Sequence, residues 1–336
     1  MRIFLDAMGG DNAPQAPVEG ALEALRLYPD LEISLAGDLP QLEPLLKDAG
    51  DVKDRISLVD APEVITNDES PVMGVRTKKK SATVIGMLQL KEKQVDGFVS
   101  CGSTGAVLAG GMFRLGRIPG IERPALAPVL PTGTPNGALL IDCGANVDCR
   151  PQYLLQFGMM GSIYMERVIG VKNPRVGLIN IGVETDKGNE LVKTTYPLME
   201  KAPYNFVGNV EAREITNDAA DVLVCDGFSG NLILKFMEGV AKSLLGIIKK
   251  ELMADPVSKF GALLSKGAFK RVKKDMDYSE VGGAPLLGVQ GAVVKGHGSS
   301  NGHAVCCAIK QCRKIIEGNV TGLIQEGLKG MLPEEE

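Results

Sequence analysis

The chain has 336 residues, with 37 Lys and Arg against 41 Asp and Glu, a formal net charge of −4 and 44% hydrophobic content. These values describe an ordinary globular protein able to bury a large core, and they argue against a broad nucleic-acid-binding surface. No apolar run reaches the ~18 residues of a transmembrane helix.

The Met1 start lacks the basic and apolar regions of a signal peptide, because Asp6 and Asp11 interrupt it. Seven scattered cysteines, an odd number, read as reduced thiols, so a cytoplasmic location is expected. Residues 1–7 form a predicted strand. The turn Met8-Gly-Gly-Asp-Asn12 leads into a helix beginning near Pro14, a residue tolerated in a first helical turn. Apolar runs predict further strands at 31–36, 56–59, 95–99, 138–141, 175–181 and 222–225, with helical periodicity between them, as at 82–91, 154–169 and 191–201. Such alternation implies an α/β fold with parallel strands and crossover helices. It forms one catalytic unit over residues 1–336, or two lobes sharing a cleft, with the Pro- and Gly-rich stretch 117–134 carrying the chain between them.

Residues 239–275 differ. Within 249–274, eight Lys or Arg stand against two acidic residues, interleaved with apolar side chains, and Asp255-Pro256 breaks the helix. The segment reads as a protruding helical hairpin with an apolar tip and basic flanks. Lys259, Lys266, Lys270 and Arg271, with Phe260, Leu263 and Leu264, are its candidate contacts to an anionic membrane or an acidic partner. A dimer-forming arm with a solvated basic face fits the same pattern.

Four polar, glycine-rich turns stand out: Ser100-Cys-Gly-Ser-Thr-Gly105, Asp142-Cys-Gly-Ala-Asn146, Asp226-Gly-Phe-Ser-Gly-Asn231 and Gly296-His-Gly-Ser-Ser-Asn301. Glycine lets backbone approach a ligand, and the first amides of a following helix favour an anion, so the expected ligand is an oxyanion, phosphate above all. Gly102, Ser103, Thr104, Gly105 and Ser299 are the candidate phosphate contacts. Lys187, beside a helix N-terminus in Asn180-Ile-Gly-Val-Glu-Thr-Asp-Lys-Gly-Asn189, is a candidate anion partner or a solvated loop lysine. Asn231 orients a ligand or closes its own turn. His297 lies in a segment too flexible for a packed histidine and is a candidate donor to an oxyanion or leaving group. Cys225, inside an apolar strand, reads as core. No G-x-G-x-x-G follows the first strand and no Gly-Lys dipeptide exists, which lowers the odds of nicotinamide or ATP chemistry. His303, Cys306, Cys307 and Cys312 share one predicted helix on mixed faces, so packing is favoured over metal binding and no cofactor is expected.

At these residues the chain resembles the phosphate acyltransferase (PlsX) family, essentially end to end. The markers are Asp6-Ala-Met-Gly-Gly-Asp11, Ser103-Thr-Gly-Ala106, Arg123-Pro-Ala-Leu126, Asp142-Cys-Gly-Ala-Asn146, Asn180-Ile-Gly182, Lys187-Gly-Asn-Glu-Leu191, Gly208-Asn-Val-Glu211, Cys225-Asp-Gly-Phe228 with Gly230-Asn231, and His297-Gly-Ser-Ser300. One departure is Ser103, where the family carries Asn. The resemblance implies a parallel-sheet-rich sandwich, isocitrate/isopropylmalate dehydrogenase-like and related to phosphotransacetylases. It also implies transfer of a long-chain acyl group from acyl carrier protein to inorganic phosphate. The acyl phosphate would feed a membrane-bound glycerol-3-phosphate acyltransferase in phospholipid synthesis. The implied enzyme is a homodimer associated with the membrane surface, with Lys187, Asn231 and His297 in catalysis. Its relatives carry a Ser-Arg turn near 297–300, so His297 and Ser299 replace an arginine here.

Overall fold

The apolar runs assemble into two sheets, in a computed structural model that describes residues 1–47, 49–275 and 282–331. The first holds β1 (Arg2–Asp6), β2 (Glu32–Gly37), β3 (Ile56–Asp60), β4 (Gly97–Ser100) and β5 (Ala125–Leu126). The second holds β6 (Val129–Leu130), β7 (Ala138–Ile141), β8 (Arg175–Asn180), β9 (Asn205–Glu211) and β10 (Val222–Val224). The chain then returns to the first sheet with β11 (Ala284–Leu287) and β12 (Ala292–Lys295). Strand order is β3-β2-β1-β4-β12-β11-β5 in one sheet and β6-β7-β10-β8-β9 in the other. From β3 to β12 all pairings are parallel, and β11 runs antiparallel to both neighbours. In the second sheet only β6 is antiparallel.

The helices are α1 (Gln15–Leu27), α2 (Leu39–Leu42), α3 (Pro71–Thr77), α4 (Ala82–Lys91), α5 (Thr104–Gly110), α6 (Pro151–Tyr164), α7 (Glu190–Glu200), α8 (Gly227–Leu252), α9 (Pro256–Asp275), α10 (Gly302–Glu317) and α11 (Val320–Lys329). Parallel strands covered on both faces need continuous apolar runs, which is what β4 and β7 supply: every residue of each is buried. One hydrophobic cluster joins Leu5 and Val99 of the first sheet to Leu139 and Val176 of the second through Phe157, Met160 and Tyr164 of α6. The predicted helix over 154–169 is α6, ending in a wide turn at Met165–Ile169. Cys306, Cys307 and Cys312 are buried on α10, and His303 Nδ1 lies 2.8 Å from Glu23 Oε1.

The Pro- and Gly-rich stretch carries the chain from β5 to β6, with Ala127 and Pro128 between the two sheets. Five strands escaped the sequence reading: β5, β6, β9, β11 and β12. α8 and α9 follow one another with Met253–Asp255 between them, and Asp255 caps the second helix by accepting from the backbone N–H groups of Val257 (2.9 Å) and Ser258 (3.0 Å). Val257, Phe260, Leu263 and Leu264 of α9 are all exposed. Among the described residues, no helix is long and apolar enough to cross a membrane.

Candidate active site

All four glycine-rich turns leave the carboxyl ends of parallel strands: β4, β7, β10 and β12. That is where open α/β sheets leave a crevice for ligands. The turns are locked together by backbone contacts. After β1, Asp11 N–H donates to the Gly298 carbonyl (2.8 Å), and Asn12 Nδ2 donates to the carbonyls of Ser299 (3.2 Å) and Ser300 (3.1 Å). A Cβ on Gly9 would stand 2.6 Å from Gly102 N, so only glycine allows these two turns to touch.

In the second sheet, the hub is Asp142. It is fully buried and accepts from the backbone N–H of Leu126 (2.9 Å), Ala145 (3.2 Å) and Asn146 (2.7 Å), and from Asn146 Nδ2 (3.0 Å). Those bonds tie the β5–β6 crossing to the turn after β7. Burial pushes the Asp142 carboxyl up to about 6, against the pull of its donors. α8 then lies directly on this turn: a Cβ at Gly230 would come within 1.9 Å of the Asp142 carbonyl oxygen.

One expectation is overturned here. The first amides of α8 do not wait for an anion. Asp226 accepts from Ser229 N–H (2.8 Å) and from its hydroxyl (2.8 Å), and Gly227 N–H donates to the Asn146 carbonyl (2.8 Å). A capping carboxylate takes the place a bound anion would occupy. α7 and α10 are likewise capped from their own side chains, by Asn189 and Asn301. Of the four turns, the one opening α5 has no side-chain cap, so the Ser103 hydroxyl is not spent on capping.

Between the sheets and α8 lies a cleft of about 930 Å³. Its polar end carries Thr104, Asn231, Lys295, His297, Ser299 and Ser300; its wall is apolar, with Leu126, Pro128 and Leu130 facing Leu234, Met237, Ala241 and Leu245 along α8. Thr104, Asn231, His297 and Ser299 are thus brought together as lining residues. Gly102, Ser103 and Gly105 stand behind Thr104 in the same turn without lining the cleft. Lys187 does not line it either: it is exposed in the turn after β8, where its carbonyl accepts from Asn180 Nδ2 (3.2 Å). The Asn231 amide makes no hydrogen bond with the described residues and faces the cleft, rather than closing its turn.

Ser299 donates to His297 Nδ1 through its backbone N–H (3.2 Å), and its hydroxyl lies 2.8 Å from the same nitrogen. Nδ1 is therefore an acceptor and Nε2 carries the proton of the neutral ring. Burial holds the ring's pKa below its usual range, with Glu238 opposing and Lys235 and Lys295 assisting, so the neutral form prevails at pH 7. Lys295, missed in the sequence, ends β12 in the interior: it is 8% exposed, and burial lowers its pKa.

Two packed sheets with a crevice at the strand ends define an α/β scaffold, and solved structures carry the same fold. A phosphotransacetylase from Streptococcus pyogenes superposes with a TM-score of 0.59 at 16% identity, covering 94% of both chains, and the EutD phosphotransacetylase of Staphylococcus aureus does so at 0.58 and 15%. The family model described as "Fatty acid synthesis protein" matches residues 1–323. The chain is 50% identical to the phosphate acyltransferase of Alkaliphilus oremlandii over 335 residues, covering 100% of this chain and 99% of that one. It is 48% identical to the phosphate acyltransferase of Thermoanaerobacter pseudethanolicus, covering 98% of each. The chain belongs to the phosphate acyltransferase family: it is an acyltransferase that moves an acyl group to phosphate.

Proposed function

We propose that the enzyme transfers a long-chain acyl group from the thioester of acyl carrier protein to inorganic phosphate. The acyl phosphate product would then acylate glycerol 3-phosphate on a membrane-bound acyltransferase. The observation that carries this reading is the composition of one cleft: a polar end lined by Thr104, Asn231, Lys295, His297 and Ser299 continues into an apolar wall along α8. Hydrocarbon and phosphate belong to the two ends of one product. A cleft of this volume falls in the usual range for small-ligand sites.

In this reading the turn Gly102–Gly105 and Ser299 hold phosphate, with Thr104 in direct contact. Asn231 orients the thioester carbonyl, and Lys187 attracts the anion from the flank. A phosphate oxygen attacks the carbonyl carbon, the C–O bond forms, and the C–S bond breaks as the tetrahedral oxyanion collapses. The one proton of hydrogen phosphate ends on the departing thiol. Neutral His297, donating through Nε2, hydrogen-bonds the sulfur as charge develops on it. Phosphate is already nucleophilic at neutral pH, so holding it against the thioester and stabilising the oxyanion supply most of the acceleration.

α9 is assigned to docking. Its Phe260, Leu263 and Leu264 are exposed beside Lys259, Lys266, Lys270 and Arg271, which supports contact with acidic carrier protein, an anionic cytoplasmic membrane surface, or each in turn. The exposed apolar residues Phe236, Leu244 and Ile247 of α8 support a homodimer.

The test incubates purified protein with palmitoyl-acyl carrier protein, with and without phosphate, and follows thiol release. Phosphate-dependent release, trapped by hydroxylamine as a hydroxamate, is expected. Release from acyl-coenzyme A but not from the carrier protein would contradict the donor assignment.

A further inference from the structure

Asp6, Ser100 and Lys295 form one row across three strand ends. Asp6 pairs with Ser100 between β1 and β4, and Ser100 pairs with Lys295 between β4 and β12. Laterally paired residues of a parallel sheet share a face, so the three side chains issue side by side. Ser100 Oγ donates to Asp6 Oδ2 at 2.7 Å, and Asp6 Oδ1 accepts from Met8 N–H at 3.1 Å. The carboxyl is thus engaged by Ser100 of β4 and by its own turn, and is not given to the lysine.

Lys295 is nine-tenths buried, and yet its environment is unfinished. Among the described residues its ammonium makes one hydrogen bond, to the carbonyl of its neighbour Gly296, and no ion pair. Asp6 and Asp11 act on it only at longer range. An ammonium has three donors, and removing it from water without a counter-charge is unfavourable. The side open to the cleft is where its missing partner belongs, beside Thr104, His297 and Ser299. The other lysines lining the cleft are less committed to it. Lys235 pairs with Glu238 at 2.8 Å and is half exposed, and Lys242 is exposed. A compact point charge suits a tetrahedral oxyanion, which presents an oxygen in any orientation.

We propose that Lys295, brought to the cleft by the pairing of β12 with β4, is the charge anchor for the phosphate substrate. The assignment rests on the reading of the cleft as an acyl-to-phosphate transfer site. Lys295 contacts phosphate only, so its loss separates the two substrates kinetically.

The experiment measures KM for phosphate and for acyl-acyl carrier protein separately in the full-length wild type, Lys295→Met and Lys295→Arg, and the Kd for ³²P-phosphate by equilibrium dialysis. In Lys295→Met, phosphate KM and Kd should rise at least about tenfold, the low end for losing a charged hydrogen bond. The acyl-donor KM should stay within about twofold, and Lys295→Arg should recover part of the phosphate affinity. Lys295→Gln replaces the Met variant if that one does not fold. Unchanged phosphate Kd in a folded neutral variant overturns the anchor. So does a parallel rise in both KM values, the signature of a merely structural lysine. The failures of the two readings are distinguishable: a wild type that binds phosphate through Lys295 but releases no thiol would sink the transfer reaction and leave the anchor standing.

Discussion

His297 and Asp142 show how burial sets chemistry residue by residue. The pKa of the His297 ring is depressed, so the folded state binds fewer protons than the unfolded chain near that pKa. Its stabilising contribution is present above the unfolded value of 6.5 and is lost as pH falls through the folded value. The neutral ring accepts from Ser299 N–H at Nδ1, a bond that protonation destroys. The groups facing it are Asp11, Lys235, Glu238 and Lys295. The log of kcat/KM should therefore show an acid limb below pH 6.5, and that limb should vanish in His297→Gln; a limb that persists would assign it to another group. Asp142 receives four donors in the interior. Asp142→Ala would leave three backbone N–H groups unpaired at roughly 1 kcal/mol or more each, so a loss of about 3 kcal/mol or more is expected by urea denaturation. Residue-scale roles were unevenly legible. The glycine turns that carry Asp142, Asn231 and His297 stood out in the sequence, but the role of the Asp142 carboxyl as a buried acceptor of four donors did not. Nor did Lys295, because the four-residue strand that buries it follows a Gly-Val-Gln-Gly turn and reads as loop. Lys187, singled out beside a helix start, lies outside the lining of the cleft, since β10 stands between its own strand, β8, and β7.

α8 makes the argument at the scale of an element. Its N-terminus rests on the Asp142 turn through Gly230, and its flank, Leu234 to Leu245, forms the apolar wall. Gly230→Ala forces a Cβ against backbone at 1.9 Å. Overpacking of this kind costs about 1–3 kcal/mol, and the melting temperature should fall by several degrees together with activity; an unchanged Tm would mean α8 is not seated as described. Ala241→Trp would instead fill the wall. Palmitoyl transfer should drop at least about tenfold relative to octanoyl transfer, in line with the ~10–200-fold per methylene that apolar pockets can discriminate. Equal losses for both chains would place the hydrocarbon elsewhere. The strands β1, β2, β4, β7 and β10 were readable because they are almost wholly buried and largely apolar, whereas β9, parallel and seven residues long, is half-buried and interrupted by Gly208 and Asn209. β5, β6 and β11 were not readable either: two to four residues around Pro128 and Pro285 carry too little period for any pattern to register.

At the scale of the whole molecule, two sheets and one shared hydrophobic cluster hold the turns from both sheets around a single crevice. The α/β alternation made the architecture legible, but the meeting of turns as far apart as Asn12 and Ser300 arises from strand order, which no local pattern encodes. α9 adds an exposed, basic, apolar surface to this frame. Leu263→Glu with Leu264→Glu should abolish sedimentation with vesicles containing anionic lipid, while thiol release from soluble carrier protein survives; binding to neutral vesicles that is insensitive to both salt and these substitutions would contradict an electrostatic and apolar contact. The central claim is that one cleft holds phosphate at its polar end and hydrocarbon along α8, and a crystal structure with a non-hydrolysable palmitoyl phosphonate tests it most directly. The account predicts the phosphonate oxygens against Thr104, Lys295 and His297, with the chain running past Leu234, Met237 and Ala241. A phosphonate seated at the start of α7 beside Lys187, or a chain lying outside α8, would contradict it.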